Sequence, residues 1–434
     1  MKKFKFFSVI IAVAIIAICG CSNDSEEENT PSIELTEKTA HTILGDDYWD
    51  MESIEIPANV TSISDNVFSK ITKKYIGGVL FSVTTKSSNI KKITFQNGSR
   101  LRNINHSAFY ESKLESIELP EGLEKIGNNA FYRCSLKELK IPNSVTHIEA
   151  GAFQDCSNLI ELEIQGNVAY IGKQAFYSCP KLKKLTLPAC IKDATIESRA
   201  FHTLDTYNIG NIDEIRYKGT IEDWCKITWS KDAVLWRVNK LYFEDSNTPI
   251  TSIEIPSTVT SIPPYAFSCN YSLTSVKFSE SDIIIGESAF ASCDNLSNIE
   301  FGSGNTQIGE NAFRNCDNLK SIKLPNGIIS EDAFSYCENL KYIKLGNGVT
   351  SIGDNAFYGC SNITEIAIPN SVTSIGSNAF SNCTSLKRAI FEVKNQDWQQ
   401  VSSDGSIGQV RCDFNDEEKT ARWLQYVDGK LERL

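Results

Sequence analysis

Nine of the fourteen cysteines recur at one place in a repeating unit. Cys134, Cys156, Cys179, Cys293, Cys316, Cys337, Cys360 and Cys383 each follow a phenylalanine by three residues, and Cys269 follows one by two. Such a column admits three chemistries: cross-links, a metal site, or a stack of buried thiols. Held in register, neighbouring Cβ atoms would lie near the strand spacing of about 4.8 Å, wider than the ~3.8 Å that a disulfide prefers. No Cys-x-x-Cys occurs beyond Cys21, so the spacing of a zinc site is missing. The pattern therefore predicts an internal ladder of free thiols acting as small buried hydrophobes and weak donors, with scattered disulfides as the alternative.

Other reactive residues are sparse. His41, His106, His147 and His202 have no recurring serine, cysteine or acid partner, and read as isolated polar positions at surfaces or edges. Gly302-Ser303-Gly304 lacks the strand-to-helix setting of a phosphate loop. Motifs for a P-loop, a zinc protease or an EF-hand are absent. A hydrolase would have to hide its site in residues 206–249, which lack clustered His, Cys and carboxylates. No catalytic residue, metal or cofactor is expected. A net charge of -11 gives no overall basic field for nucleic acid, and 41% hydrophobic with 22% charged residues excludes a disordered or polytopic membrane chain.

What must position the thiols is a repeat of about 23 residues. Phenylalanine recurs at 68, 109, 131, 153, 176, 201, 267, 290, 313, 334, 357 and 380, preceded by alanine everywhere except Val67-Phe68. One unit reads Ile363-x-x-Ile366-x-Ile368-Pro369-x-x-Val372-x-x-Ile375-Gly376-x-x-Ala379-Phe380-x-x-Cys383. Ile366 and Ile368 have the period of a short strand with Ala367 outward. Pro369 ends it where a missing N–H costs nothing. Val372 and Ile375 mark a second extended piece, and Gly376 is expected to relax the backbone before a tight turn that carries Ala379 and Phe380 inward. One unit cannot bury its apolar face alone, but a stack can, which predicts a solenoid with parallel strands on one face and short turns or helical turns on the other.

The units L-x-x-I-x-I-P, V-x-x-I-G and A-F-x-x-C resemble the leucine-rich repeats of BspA-like bacterial surface proteins, over about residues 50–205 and 250–390. The resemblance implies a curved solenoid at the cell surface that adheres to proteins and has no catalytic activity. The N-terminal segment agrees with such an address. Lys2, Lys3 and Lys5 precede an apolar run from Phe6 to Ile18, of signal-peptide length. Ile18-Cys19-Gly20-Cys21 resembles the lipobox of bacterial lipoproteins, which implies cleavage before Cys21 and its acylation; an ordinary secretory signal is the alternative. Ser22 to Pro31 is polar and acidic and reads as a flexible tether, similar to stretches that direct some lipoproteins to the outer face of the outer membrane. Periplasmic retention stays open.

The repeat breaks between Phe201 and Phe267. Ile212-x-x-Ile215-x-Tyr217 and Val238-x-x-Leu241-x-Phe243 read as strands around a turn and short helix that holds Asp223-Trp224, and Asp397-Trp398 echoes that pair near the end. The expected plan is a signal peptide at 1–20, tether and lead-in at 21–48, a first repeat block at 49–205, an irregular Trp-containing module at 206–249, a second block at 250–390 and a C-terminal cap at 391–434. All six tryptophans fall in the modules or the lead-in, where they would cover open ends of the stack or, in the functional alternative, form an aromatic platform for a sugar or peptide through Trp224.

The outward strand positions are Glu118, Lys140, Glu163 and Thr186, then Glu254, Lys277, Glu300, Lys323, Lys344 and Ala367. The signs alternate, which would fix register, until Lys323 meets Lys344. That like-charge step, with Tyr342 one position away on the same face, is the expected partner contact. About fourteen strands would span roughly 65 Å, room for a standard protein interface. The expected function is a lipid-anchored, non-enzymatic surface adhesin for a protein partner; glycan capture by the Trp-rich insert is the alternative.

Overall fold

A computed structural model describes residues 31–76, 79–202, 211–229, 237–386, 388–391, 423–427 and 430–433; of 70–87, 211, 237 and everything from 387 onward it gives at most the backbone. The signal segment, Cys21, the acidic stretch 22–30, Trp236 and Trp398 lie outside the described residues.

Each unit folds into a three-sided coil. In one of them, strand Glu138–Ile141 buries Leu139 and Ile141 and exposes Glu138 and Lys140, the period-two alternation that its sequence dictates. Pro142 ends the strand, and Val145 closes a turn by donating its N–H to the Pro142 carbonyl at 3.2 Å. The second strand, His147–Ile148, follows, and then the turn that carries Ala152 and Phe153. Successive coils pair parallel and in register: Leu139 meets Leu162 and Ile141 meets Ile164. The second strands run as a seven-stranded and a six-stranded parallel sheet.

The insert keeps this stack going. Strands Asn211–Tyr217 and Arg237–Phe243 add in parallel to the first array, with Ile212, Ile215 and Tyr217 opposite Val238, Leu241 and Phe243. Helix Ile221–Trp224 lies between them, N-capped by the Thr220 hydroxyl, which accepts from the Asp223 N–H at 3.1 Å. The lead-in also belongs to the solenoid: Ile33–Leu35 pairs with Val60–Ile63.

The phenylalanine rings form two continuous stacks inside, with centroids 4.8 to 5.4 Å apart and ring planes within 12° of parallel. The turn around each ring alternates two kinds of hydrogen bond. Ala130, Tyr132 and Cys134 donate within their own coil, to Gly127, Asn129 and Phe131; Asn129, Phe131 and Arg133 donate to Ala150, Ala152 and Gln154 of the next. All three donors to the next coil point the same way along the stack. This geometry needs left-handed backbone two residues before and after the ring, as at Asn311 (φ 55) and Asn315 (φ 57). Asparagine tolerates that region better than most residues, which accounts for its frequency there. Gly376 has another role than the sequence suggests. It is not left-handed; a Cβ on it would lie 2.3 Å from the Asp354 nitrogen, so glycine is there for close approach between coils.

The first coil of each array has carbonyls with no preceding coil to satisfy them, and an aromatic side chain supplies the donor. The fully buried Tyr48 hydroxyl donates to the Val67 carbonyl at 3.3 Å. The Trp224 indole N–H donates at 2.8 Å to the Ala266 carbonyl, the group that in regular coils accepts the preceding Phe N–H. Tyr48→Phe keeps the ring and orphans the Val67 carbonyl, so urea titration should show a loss of about 1–3 kcal/mol; an unchanged midpoint would show that water replaces the hydroxyl there.

One element leaves the stack. After Phe68, strands Ser69–Ile76 and Val79–Ser87 form an antiparallel hairpin that pairs with no other strand among the described residues.

Candidate functional site

The outward strand face carries much of the charge order of the molecule, and several of its lysines are neutralised by the neighbouring coil. Lys91 reaches Glu52 at 2.7 Å, Lys137 reaches Glu115 at 2.7 Å, Lys140 reaches Glu163 at 3.3 Å and Lys277 reaches Glu254 at 2.7 Å. Glu115 is held below the usual carboxylate range by its bond to Lys137. These exposed pairs are screened by solvent and act chiefly on register.

Strands Ser321–Lys323 and Tyr342–Lys344 depart from this order. Lys323 lies directly opposite Lys344, and Tyr342 opposite Ser321. Lys320 and Lys341, each three residues before one of those lysines, add two more exposed cations. Among the described residues none of the four has a carboxylate within ion-pair distance. Tyr342 is 59% exposed, with the Lys341 ammonium 5.1 Å from its ring centroid. The nearest outward acid on the preceding strand, Glu300, instead accepts from the Asn298 amide at 2.9 Å. Four cations in two adjacent coils repel one another, a cost that register alone gives no reason to bear. Sequence reading picks out Lys323, Lys344 and Tyr342; it misses Lys320 and Lys341, although the repeated Lys-x-x-Lys spacing carries the signal.

Trp224 is not part of such a surface. It is 4% exposed and packs against Tyr217, Trp229, Phe243 and Phe267, so its indole is a core group and a cap, and no platform for a ligand. Trp229 is equally buried and Trp49 packs against the core. His202 also departs from expectation: it is buried and lies parallel to Tyr177 at 5.8 Å. His41 sits 3.5 Å from Asp46, and His106 and His147 bond to neighbouring hydroxyls.

The cysteine column is a ladder of thiols; no disulfide joins any of the eleven described cysteines. Eight thiols donate to the phenylalanine carbonyl of the preceding coil at 3.1 to 3.4 Å, from Cys134 on Phe109 to Cys383 on Phe357. That carbonyl's other lone pair takes the N–H of its own coil, as Cys134 does at Phe131, so cysteine completes a two-acceptor site that alanine would leave half used. Burial pushes Cys134, Cys179 and Cys383 up to about 12, which keeps them protonated and inert. Iodoacetamide at pH 8 should leave these eight cysteines unlabelled in the native protein and label them all in denaturant, as read by peptide mass mapping; native labelling at the rate of a free thiol would contradict the ladder. Among the described residues no group of three or more His, Cys, Asp or Glu side chains is placed to hold a metal, and no helix is long and apolar enough to cross a membrane.

The geometry defines a class first: a leucine-rich-repeat solenoid whose parallel strands present one long polar face. The chain belongs to the BspA type leucine rich repeat family, whose model matches in six copies over residues 46–77, 74–208, 237–330 and 327–403. Among solved structures it is similar to a leucine-rich repeat protein from Bacteroides ovatus (22% identity, 78% of each chain, TM-score 0.40). It is also similar to a leucine rich cell surface protein from Faecalibacterium prausnitzii (25% identity, 82% of this chain and 83% of that one, TM-score 0.37). A third is the pneumococcal vaccine antigen PcpA (20% identity, 81% and 80%, TM-score 0.45). No curated protein matches the chain.

Proposed function

We propose that the protein is a non-enzymatic binding protein of the bacterial cell surface, held to the outer membrane through an acylated Cys21, which docks an acidic segment of a protein partner on its strand face. The observation that carries this reading is the cluster of Lys320, Lys323, Lys341 and Lys344, exposed around Tyr342 and without ion-pair partners among the described residues. Carboxylates of a partner would supply what the neighbouring coils withhold, and Tyr342 offers an amphipathic ring of the kind enriched at protein interfaces. The lipobox-like Ile18 to Cys21 and the acidic stretch after it support the anchoring. Family membership supports surface binding.

An array of peptides graded in acidic content tests the site. The wild-type chain should enrich Asp/Glu-rich segments in a salt-sensitive manner, and K323E/K344E should weaken that binding about ten-fold or more. Equal binding by wild type and variant would remove the patch from the function. Protease shaving of intact cells, with the mass of the Cys21 peptide, tests the address separately.

A further inference from the structure

The coils that carry the lysine cluster also carry a file of carboxylates on another side. Glu310, Glu331 and Asp354 each stand two residues after the end of a second strand, Thr306–Ile308, Gly327–Ile329 and Val349–Ile352. Those strands pair in register, Ile308 with Ile329 and Ile329 with Ile352, so the three acids follow one another at the coil repeat. The turns hold the same order: Asn311 N–H donates to the Glu331 carbonyl at 3.0 Å, and Asp332 N–H to the Asp354 carbonyl at 2.9 Å. All three side chains are exposed. Among the described residues none has a cation within ion-pair distance, and the nearby Arg314 is taken by Asp332 at 3.4 Å. Neutral donors serve two of them: the Asn311 amide reaches Glu310 at 3.2 Å, and Ser377 N–H reaches Asp354 at 2.6 Å. Desolvation, and then the carboxylates of Glu310, Asp332 and Asp354, raise the Glu331 carboxyl above its usual range.

Two successive coils therefore bear both signs: Lys320 and Lys323 with Glu331 in one, Lys341 and Lys344 with Asp354 in the next. The lysines stand on the first-strand side and the acids past the end of the second strand, and among the described residues no ion pair joins them within the molecule. Both groups repeat along the stack with one step of about 4.8 Å. Two copies side by side with their coils level bring the acid file against the lysine pairs at matched spacing. Both surfaces are already rigid, so neither loses freedom on meeting, as a flexible acidic segment would. Each surface also carries an exposed tyrosine. Tyr342 is 59% exposed among the lysines, and Tyr336 is 37% exposed on the turn after Glu331, with the Arg314 guanidinium 4.9 Å from its ring centroid. Tyr and Arg are among the residue types that dominate binding energy at protein interfaces.

We propose that the occupant of the lysine cluster is a second copy of this chain, whose Glu310, Glu331 and Asp354 lie against Lys320, Lys323, Lys341 and Lys344 of the first. This rests on the reading of the lysine cluster as a docking site and names its partner. The two surfaces differ, so the contact is heterologous: every copy keeps one surface for the next, and the association runs on as an open row. Three coils cover about 14 Å of the stack, so the contact is smaller than a standard interface of about 800 Å² per partner and is weak between freely diffusing copies. Copies confined to one membrane meet at a much higher effective concentration, and there the row forms.

Residues 22–434, made without lipid and held by an N-terminal polyhistidine tag on nickel-chelating phosphatidylcholine vesicles, allow the test by energy transfer between donor- and acceptor-labelled copies. At one surface density the wild type should show transfer above that of randomly placed molecules, and about 0.5 M salt should abolish the excess. K323E/K344E alone and E310K/E331K alone should each lower the excess about ten-fold or more. Donor on one variant and acceptor on the other should restore it, because each surface then meets its opposite. All four side chains are exposed, so both variants should keep the wild-type melting temperature, which separates lost association from lost folding. No excess transfer in the wild type, unchanged transfer in either folded variant, or no recovery in the mixture would overturn the inference. The acidic-peptide array reads the cluster by itself, since E310K/E331K leaves the lysines in place and should bind those peptides as the wild type does. Intact peptide binding without self-association strikes the second copy alone; a wild type that binds no acidic peptide strikes the docking reading.

Discussion

Phe313→Ala should destabilise the second array by about 3–5 kcal/mol, the range for removing a buried ring from a core that cannot collapse around the space. The ring is fully buried and parallel to Phe290 and Phe334, each 5.2 Å away. Its backbone is fixed on both sides, by its N–H on the Ala333 carbonyl and by the Cys337 thiol on its own carbonyl, so the coil cannot close the gap by sliding. In a repeat array the loss is felt by both neighbours. Phe380→Ala is the control: among the described residues that ring is the last of the stack, is half-buried and has one ring neighbour, Phe357. Urea unfolding followed by circular dichroism should rank Phe313→Ala well above Phe380→Ala. Equal losses would mean that the column is not a continuous stabilising stack.

Trp224→Ala should cost about 4 kcal/mol or more, the truncation of a large buried ring together with an orphaned Ala266 carbonyl. It should also change the form of unfolding. Trp224 touches Tyr217 and Phe243 of the first sheet and Phe267 of the second array, and its indole N–H stands in for the backbone donor of a missing phenylalanine. Without it the arrays lose their main side-chain splice, and one calorimetric transition should separate into two. Trp224→Phe keeps most of the volume and loses the donor, and should cost about 1–3 kcal/mol without that separation. A single unaltered transition in Trp224→Ala would show that the parallel backbone bridge between Val238 and Asn270 couples the arrays by itself.

The coils were legible because their physics is periodic. Ile366 and Ile368, Pro369, and Ala379-Phe380 each declare a local requirement, and a dozen copies make the declaration redundant. The strands about Ile215 and Leu241 were readable for the same reason. What escaped was whatever depends on a neighbour rather than on the coil itself. Gly376 answers to the backbone of Asp354, not to its own φ. Tyr48 and Trp224 answer to carbonyls at the ends of the arrays, and a side chain's type does not tell which way it turns. His202 is polar by name, but its coil places it against Tyr177. At the candidate site, Lys323 and Lys344 stood out because strand alternation puts them opposite each other. Lys320 and Lys341 sit just before the strands, where alternation gives no guidance.

The one-way hydrogen bonding of the turn face has an electrical consequence. In each coil the carbonyl that accepts from the preceding coil and the N–H that donates to the next belong to one peptide unit, as with Ala130 and Phe131. Three files of peptide dipoles therefore run head to tail through an array, as in a helix, whereas the two strand faces largely cancel. Each described array is therefore polarised, negative toward its first coil and positive toward its last. Copies meeting end to end would attract in one sense and repel in the other, an asymmetry that the net charge conceals.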